Sequence, residues 1–443
     1  MAEVKPFLGV RYNTERAGGD LTDLVCPPYD VISPEAQQDY LTKNAYNVVR
    51  LELGEMRPSD DSLNNRYSRA ATTLNNWLNE GVLFKEQSPA YYLHEQEFEL
   101  NGQPYTRRAL LAAVQLHAWE DEVILPHERT LHQPKADRLA LLQATKANLS
   151  PVFCVFDDAD GHIASIYNPS EATQQLYEFK DESSCTNRLF LIDQPDKVGA
   201  LEAAFGNKKL YMADGHHRYE TALAYRDERR ATGEAEGGSA DYLLMALSAL
   251  QDPGLVVLPY HREVQGLSDE ALHNLSQTLP QYFGMEEASV KGEDKPGEFM
   301  AELVQKLDSD GGQENHVFGM YGAHSGIMTI LKLKSEESVS ELMPPHSEAW
   351  QKLDVSIFQT VILEGCLGMT EESVAREQQL TYTRDVEAGV ARIERSETQR
   401  LFIMPPTLVT EMVAVAENHD QMPPKSTYFY PKFQTGMVLR LVD

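Results

Sequence analysis

The run Tyr211-Met212-Ala213-Asp214-Gly215-His216-His217-Arg218-Tyr219-Glu220 sets a carboxylate, a glycine, two imidazoles and a guanidinium side by side. Those types in that order suit an anion, phosphate above all. Backbone N–H groups at a helix start attract anions, glycine lets the backbone approach closely, and a guanidinium one turn further on can fork two donors onto phosphate oxygens. His216 and His217 add N–H donors that strengthen on protonation. The plainer reading makes Asp214 an N-cap and puts the histidines and Arg218 on a surface helix. Adjacent histidines point roughly 100° apart on a helix, so a surface needs two separate reasons for them, whereas a phosphate wrapped by the helix start uses both. A metal site fits less well, because metal-binding helices space their histidines by three or four residues.

Pro126-His127-Glu128-Arg129-Thr130 is a second constellation, at the end of an expected strand, where loops present functional groups. Glu128 is a candidate general base. A partly desolvated carboxylate beside a hydroxyl can accept its proton during attack on phosphorus, an effect of roughly 10² to 10⁴ in rate. The alternative is a surface Glu128-Arg129 pair. Lys135 and Arg138 just downstream favour an anion, since cations near a helix start oppose the macrodipole unless something offsets them. A third segment, Met422 to Lys432, contains Lys425-Ser426-Thr427. It is not a P-loop, because the glycines of Gly-x-x-x-x-Gly-Lys-Ser/Thr are missing. It is either a proline-braced cationic loop reaching an active site or a strand with exposed lysines. His261-Arg262 closes a central strand and could face the same cleft. Tyr29-Asp30, in the run Cys26-Pro27-Pro28-Tyr29-Asp30-Val31-Ile32, either orients substrate or metal or is a tyrosine-anchored turn.

The elements that must position these groups follow from periodicity. Lys209 to Ala213 is short and apolar, as a buried strand is, and His216 to Thr232 mixes Ala222, Leu223 and Tyr225 with charges, as a half-exposed helix does. Asn101-Gly102 between Tyr91–Leu100 and Tyr105–Leu116 is a hairpin signal, because that pair tolerates the positive φ of a tight turn. Ser68 to Leu83 is amphipathic, with Ala70, Leu74, Trp77 and Leu78 on one face. Val123 to Thr130 reads as a strand stopped by proline and Lys135 to Asn148 as a helix. Pro151 to Phe156 and Leu189 to Ile192 read as strands, and Asp241 to Leu250 and Gly254 to Leu258 as central strands. Beyond Glu263 come helices around Asp269–Thr278, Glu298–Leu307, Val355–Leu363 and Asp385–Ile393, with a strand at Gly326–Leu333. Glu234 to Ser239 and Asp308 to Gln313 read as exposed loops. Three regions result: an N-terminal α/β segment at 1–87, a core at 88–262 and a C-terminal α+β region at 263–443.

With 443 residues the chain can bury two or three cores. Cys26, Cys154, Cys185 and Cys366 form no Cys-x-x-Cys pair, so neither structural zinc nor a disulfide framework is indicated, and a reduced cytoplasmic compartment fits. No run approaches a membrane helix, and Met1 to Gly9 lacks the features of a signal peptide. A formal charge of −29, from 68 acidic and 39 basic residues, argues against nucleic acid as a partner and requires any anion site to gather its cations locally.

The segments Cys26 to Ile32, Leu125 to Thr130 with Lys135 to Arg138, Ala213 to Thr221, Leu258 to Arg262 and Met422 to Lys432 resemble those of a large prokaryotic family, domain-of-unknown-function family 1015. Within that likeness, the order Pro-His-Glu, helix, strand, Asp-Gly-His-His-Arg is similar to the archaeal free-serine kinases of the ParB and sulfiredoxin-like nucleotide-binding fold. This narrower resemblance covers about Leu125 to Arg230. It implies an α+β fold with a mixed-sheet ParB/sulfiredoxin-like core and added N- and C-terminal α/β regions. It also implies Glu128 as base on a serine hydroxyl, and Asp214, Gly215, His216, His217 and Arg218 on nucleotide phosphates. The flanks have no counterpart in the small kinases, and a cysteine of the sulfiredoxin phosphate motif is replaced by His216.

The expected chemistry is phosphoryl transfer to a small hydroxyl compound, free L-serine first, from ATP, ADP or another donor with Mg²⁺. Glu128, His127 and Asp214 are the expected catalytic groups. Around the phosphates stand Gly215, His216, His217, Arg218, Lys135, Arg138, His261, Arg262, Lys425, Ser426 and Thr427, with Tyr29 and Asp30 toward substrate. The metal ligands and the oligomeric state stay open. So do two rival activities, a phosphoserine phosphatase using the same site and a nucleotide-binding regulator without turnover.

Overall fold

A computed structural model describes residues 2–128, 132–290, 295–309, 316–370, 373–374 and 379–442. The chain is α+β, with mixed sheets, and divides into two compact units. The first comprises Met1–Pro126, Thr130–Val256 and Phe429–Asp443; the second comprises His127–Arg129 and Val257–Tyr428.

In the first unit the strands in chain order are β1 (Val4–Lys5), β2 (Gly9–Tyr12), β3 (Leu83–Lys85), β4 (Tyr91–Leu100), β5 (Gln103–Gln115), β6 (Ile124–Leu125), β7 (Ala147–Asn148), β8 (Val152–Phe156), β9 (Gln174–Lys180), β10 (Thr186–Ile192), β11 (Leu210–Asp214) and β12 (Tyr242–Ala249). A nine-stranded sheet runs β6-β11-β8-β12-β5-β4-β10-β9, with β1 also paired to β5. The β6–β11 and β8–β12 pairs are parallel and the other pairs antiparallel. The hairpin expected at Asn101-Gly102 forms, both residues having positive φ, 50° and 74°. Every residue of β12 and of β8 is buried, which accounts for their unbroken apolar character. Their inward side chains join Leu110, Ala112, Val114, Met212, Tyr219 and Ala222 in one core. The amphipathic run becomes the helix Arg66–Asn79, begun by a capping box between Asn65 and Ser68, with Ala70, Leu74 and Trp77 buried. A smaller sheet orders β3, β2, Leu439–Leu441 and β7.

In the second unit a six-stranded antiparallel sheet orders Phe283–Ser289, Ile327–Leu333, Val317–His324, Arg400–Ile403, His261–Val264 and Leu380–Thr383. Met300, Val317, Met328, Ile330, Val386, Leu401 and Ile403 share its core. Three expectations need correction. The helix Asp269–Tyr282 runs past Thr278 with Pro280 inside it, near its end. The stretch Val355–Leu363 is split between a short helix at Asp354–Ile357 and a π-helical run at Phe358–Cys366. Gly254 to Leu258 supplies only the short strand Val256–Leu258, outside both large sheets, and His261 does not close it but opens a strand of its own. Pro259 explains the break: it has no N–H to carry a ladder onward. The expected loop at Asp308–Gln313 lies, from residue 310 on, outside the described residues.

Candidate functional site

Strand β11 delivers Asp214 to its own end, and Gly215 turns the chain into the helix His216–Ala231. The turn requires glycine. Its φ is +96°, and a Cβ there would lie 2.9 Å from Nη2 of Arg218 and 3.1 Å from Cγ2 of Val152. Having no side chain, Gly215 supplies no side-chain cap to the first turn. His216 is buried and His217 half-buried.

Two cations meet the Asp214 carboxylate. Nζ of Lys432 donates to Oδ1 at 3.0 Å and Nη2 of Arg218 to Oδ2 at 3.3 Å. Burial pushes this carboxyl upward, but Lys432 and then Arg218 outweigh it and hold it at about 2. Asp214 therefore stands between two cations at the start of this helix. The Arg218 fork is also engaged within the protein: Nη1 donates to Oγ of Ser150 at 2.9 Å and to the Pro151 carbonyl at 2.7 Å. Arg218 therefore braces the helix against the entry to β8.

Lys432 is held in turn by β4 and β5. Arg107, 1% exposed, donates to the carbonyl of Tyr430 at 3.4 Å and to that of Pro431, and its guanidinium stacks 4.3 Å from the Phe433 ring. Nε2 of Gln96 donates to the Lys432 carbonyl at 3.3 Å. Thus both the residue before Lys432 and Lys432 itself are fixed through their backbones.

Lys135 and Arg138 pair with the chain's own carboxylates. Lys135 pairs with Glu220. Nε and Nη2 of Arg138 donate to Oδ2 of Asp137 at 2.8 and 2.5 Å, and Nη1 to the Glu52 carbonyl at 3.0 Å. The Arg138 guanidinium also lies 4.1 Å from the Tyr29 ring. Tyr29 thus sits in a short 3₁₀ turn under an arginine, while Asp30 beside it is exposed. Burial pushes the Glu52 carboxyl up, against the pull of Arg138 and Arg218. A cavity of about 50 Å³ is bounded by Glu52, Arg138, Ser150, Arg218 and Thr221.

The second unit gathers the other motifs. The Met422 N–H donates to the His127 carbonyl at 2.7 Å, Nε2 of His127 meets Oγ1 of Thr427 at 3.0 Å, and the Lys425 N–H donates to Oε1 of Glu128 at 3.3 Å. Pro-His-Glu and Lys-Ser-Thr are therefore neighbours, although 297 residues separate Glu128 from Lys425. Nη2 of Arg262 donates to the Lys425 carbonyl at 3.2 Å, and Oγ of Ser426 to the Pro423 carbonyl at 2.5 Å. Nδ1 of His261 accepts the Met404 N–H at 3.1 Å. Burial, followed by the Arg262 charge, lowers His261 to about 4, and burial lowers Arg262 to about 10. Arg129 and Thr130 of the motif lie outside the described residues.

Residue types and spacing alone did not single out Lys432, Arg107, Gln96, Ser150 and Glu52. Lys432 did stand at the end of a segment already of interest. The others carry no local signal: Arg107 is one of two adjacent arginines in a strand, and Glu52 one acid among many. Among the described residues no three His, Cys, Asp or Glu side chains cluster to hold a metal ion, and no helix is long and apolar enough to cross a membrane.

Among solved structures, a conserved hypothetical protein from Pyrococcus furiosus is similar at 12% identity, over 75% of this chain and 95% of that one, with a TM-score of 0.35. A free serine kinase in complex with AMP is similar at 11% identity over 74% and 91%, also with a TM-score of 0.35. SbnI with a C-terminal truncation, from Staphylococcus aureus, is similar at 12% identity over 74% and 87%, with a TM-score of 0.34. No curated protein matches the chain. The family profile described as "Protein of unknown function (DUF1015)" matches residues 4–356, and the chain belongs to that family.

Proposed function

We propose that the chain is a small-molecule phosphotransferase that phosphorylates an alcohol, free L-serine in the first instance, from ATP, ADP or another phosphoryl donor with Mg²⁺. The observation that carries this reading is the helix start at Gly215. An ionised Asp214 is bracketed there by Lys432 and Arg218, and the two histidines follow at once. Phosphoryl transfer rests on positioning and on neutralising charge, and a helix start with Arg218 and Lys432 beside it offers backbone N–H groups and cations to donor phosphates.

In the proposed reaction Glu128 accepts the proton of the serine hydroxyl as its oxygen bonds to the terminal phosphorus. The bond from that phosphorus to the bridging oxygen breaks, and the electron pair leaves with the shortened donor. His127, tied to Thr427, positions the segment that carries Glu128. Mg²⁺ usually needs only one or two protein carboxylates beside the phosphates themselves. Asp214 is the proposed one, and it would exchange part of its contact with Lys432 for the metal. Arg218 and Arg138 act in this proposal by position: Arg218 fixes the helix start, and Arg138 the Glu52 and Tyr29 region. His261, Arg262, Lys425 and Ser426 support the Glu128 segment, and Tyr29 and Asp30 are proposed toward the acceptor. The chain is proposed to work in the cytoplasm.

The test is product analysis by phosphorus NMR. L-serine with Mg²⁺ and ATP, ADP or polyphosphate should give O-phosphoserine. No phosphoester from serine, threonine, homoserine or sugars under any donor would overturn the reading. Release of inorganic phosphate from phosphoserine alone would favour the phosphatase.

A further inference from the structure

In the second unit Arg262 is a buried cation without a counter-ion. It is 4% exposed, and its guanidinium donates to the carbonyl of Tyr260 and, at 3.2 Å, to that of Lys425. Rings flank it, with Tyr382 centred 5.6 Å away and Phe358 5.7 Å. The strand register sets Tyr382 directly opposite Arg262. Among the described residues no carboxylate pairs with it, whereas Arg138, buried to a similar degree, has Asp137 and Glu52. Burying a charge is costly unless an opposite charge meets it.

Two more cations stand in the same aromatic cluster. Nζ of Lys425 lies 5.6 Å from the centre of the Tyr260 ring, and the Arg384 guanidinium 4.3 Å from that of Tyr428. Tyr260 links the groups, edge-on to Tyr428 at 5.5 Å and to Tyr382 at 6.3 Å. Among the described residues no carboxylate pairs with the Lys425 ammonium or with Arg384; Oε1 of Glu128 accepts the Lys425 backbone N–H instead. A ring face holds a cation without using its N–H donors. Lys425 is half-buried and Arg384 exposed, so a solute can reach both. Lys425 also has a φ of +59°, a left-handed conformation uncommon for a lysine, and backbone of that kind collects at ligand-binding turns. In a chain with 68 acidic and 39 basic residues, cations gathered on one tyrosine cluster without acids paired to them mark a local inversion of the protein's charge.

We propose that Lys425, Arg384 and Arg262, carried on Tyr260, Tyr382 and Tyr428, form a binding site for a small oxyanion, a carboxylate or a phosphate monoester, whose charge is the counter-ion that Arg262 lacks. Lys425 and Arg384 meet the ligand directly through charge-assisted hydrogen bonds. Arg262 acts from beneath, holding the Lys425 carbonyl and adding its charge. The backbone of Lys425 thus serves Glu128 and its ammonium serves the ligand, which requires no phosphoryl transfer.

Isothermal titration of the full chain with D-glycerate and with glycerol 3-phosphate separates a carboxylate from a phosphate ligand, with glycerol as the uncharged control. At least one of the two anions should bind, and glycerol should not. Arg384→Gln and Lys425→Gln should each weaken that binding by about tenfold, the loss of one charge-assisted hydrogen bond. Arg384 is at the surface, and the backbone contacts of Lys425 to Glu128 and Arg262 survive its substitution, so both variants should fold. Binding of neither anion, glycerol bound as tightly as the anions, or an affinity that either substitution leaves unchanged would overturn the proposal. Anion binding of the expected kind in a chain that makes no phosphoester would uphold this site and count against the phosphotransferase alone.

Discussion

Nζ of Lys432 reaches Oδ1 of Asp214 at 3.0 Å across 218 residues of sequence. This contact ties the last part of the chain to the helix start that is proposed to hold phosphate, and both members are shielded, with side chains 9% and 23% exposed. Arg107 and Gln96 fix the backbone around the lysine, so its place is set before any ligand arrives.

Lys432→Met should therefore cost about 2 kcal/mol, the loss of one charge-assisted hydrogen bond with Arg218 still meeting the carboxylate. Urea unfolding measures it. Asp214→Asn in that background should recover most of the loss, with a coupling energy above about 1 kcal/mol in the double-mutant cycle. Additive effects would show that the two residues act independently.

The same pair sets an acid limb. Asp214 is held at about 2 in the folded chain, below its ordinary 3.8, so its contribution is complete above about pH 4 and disappears as the pH falls through about 2. The difference corresponds to about 2 kcal/mol. Stability curves of the wild type and Asp214→Asn should diverge in slope between pH 4 and 2 and run parallel above pH 5.

His261 gives a second limb at higher pH. It is buried, accepts an N–H at Nδ1, and stays neutral in the folded chain down to about 4, whereas in the unfolded chain it takes a proton near 6.5. Stability is complete above about pH 6.5 and falls as the pH drops toward 4, by about 3 kcal/mol from this residue. The ring resonances of His261 in NMR should not titrate above pH 5, and His261→Gln should remove that part of the pH dependence of unfolding.

Two glycines should respond in opposite directions. Gly215→Ala meets a φ of +96° and a guanidinium 2.9 Å away, and should destabilise by about 1–3 kcal/mol. Gly199, in the helix Pro195–Phe205, has open space where a Cβ would stand, with nothing within 4 Å, so Gly199→Ala should stabilise by about 0.5–1 kcal/mol. Thermal unfolding of both variants checks the contrast.

What could be read from the sequence was local. The Asn101-Gly102 hairpin, strand β11, the glycine turn and the helix from His216 all follow from period and turn chemistry within a few residues. What could not be read depends on distant segments. Nothing near Lys432 says that it meets Asp214, and nothing near Arg138 says that it meets Glu52. Lys135 and Arg138 favoured an anion in the sequence, but an acidic chain has carboxylates of its own to offer them. His261-Arg262 was misplaced because a break at Pro259 looks the same in sequence whether the next residues form a loop or open another strand.

Glu128→Gln tests the proposed chemistry most directly, in a steady-state serine-phosphorylation assay with nucleotide affinity measured in parallel by titration. The amide keeps the shape and the contact to the Lys425 N–H but cannot take the proton. If Glu128 is the base, kcat should be at least about tenfold lower with nucleotide affinity nearly unchanged; an unaltered kcat would contradict it.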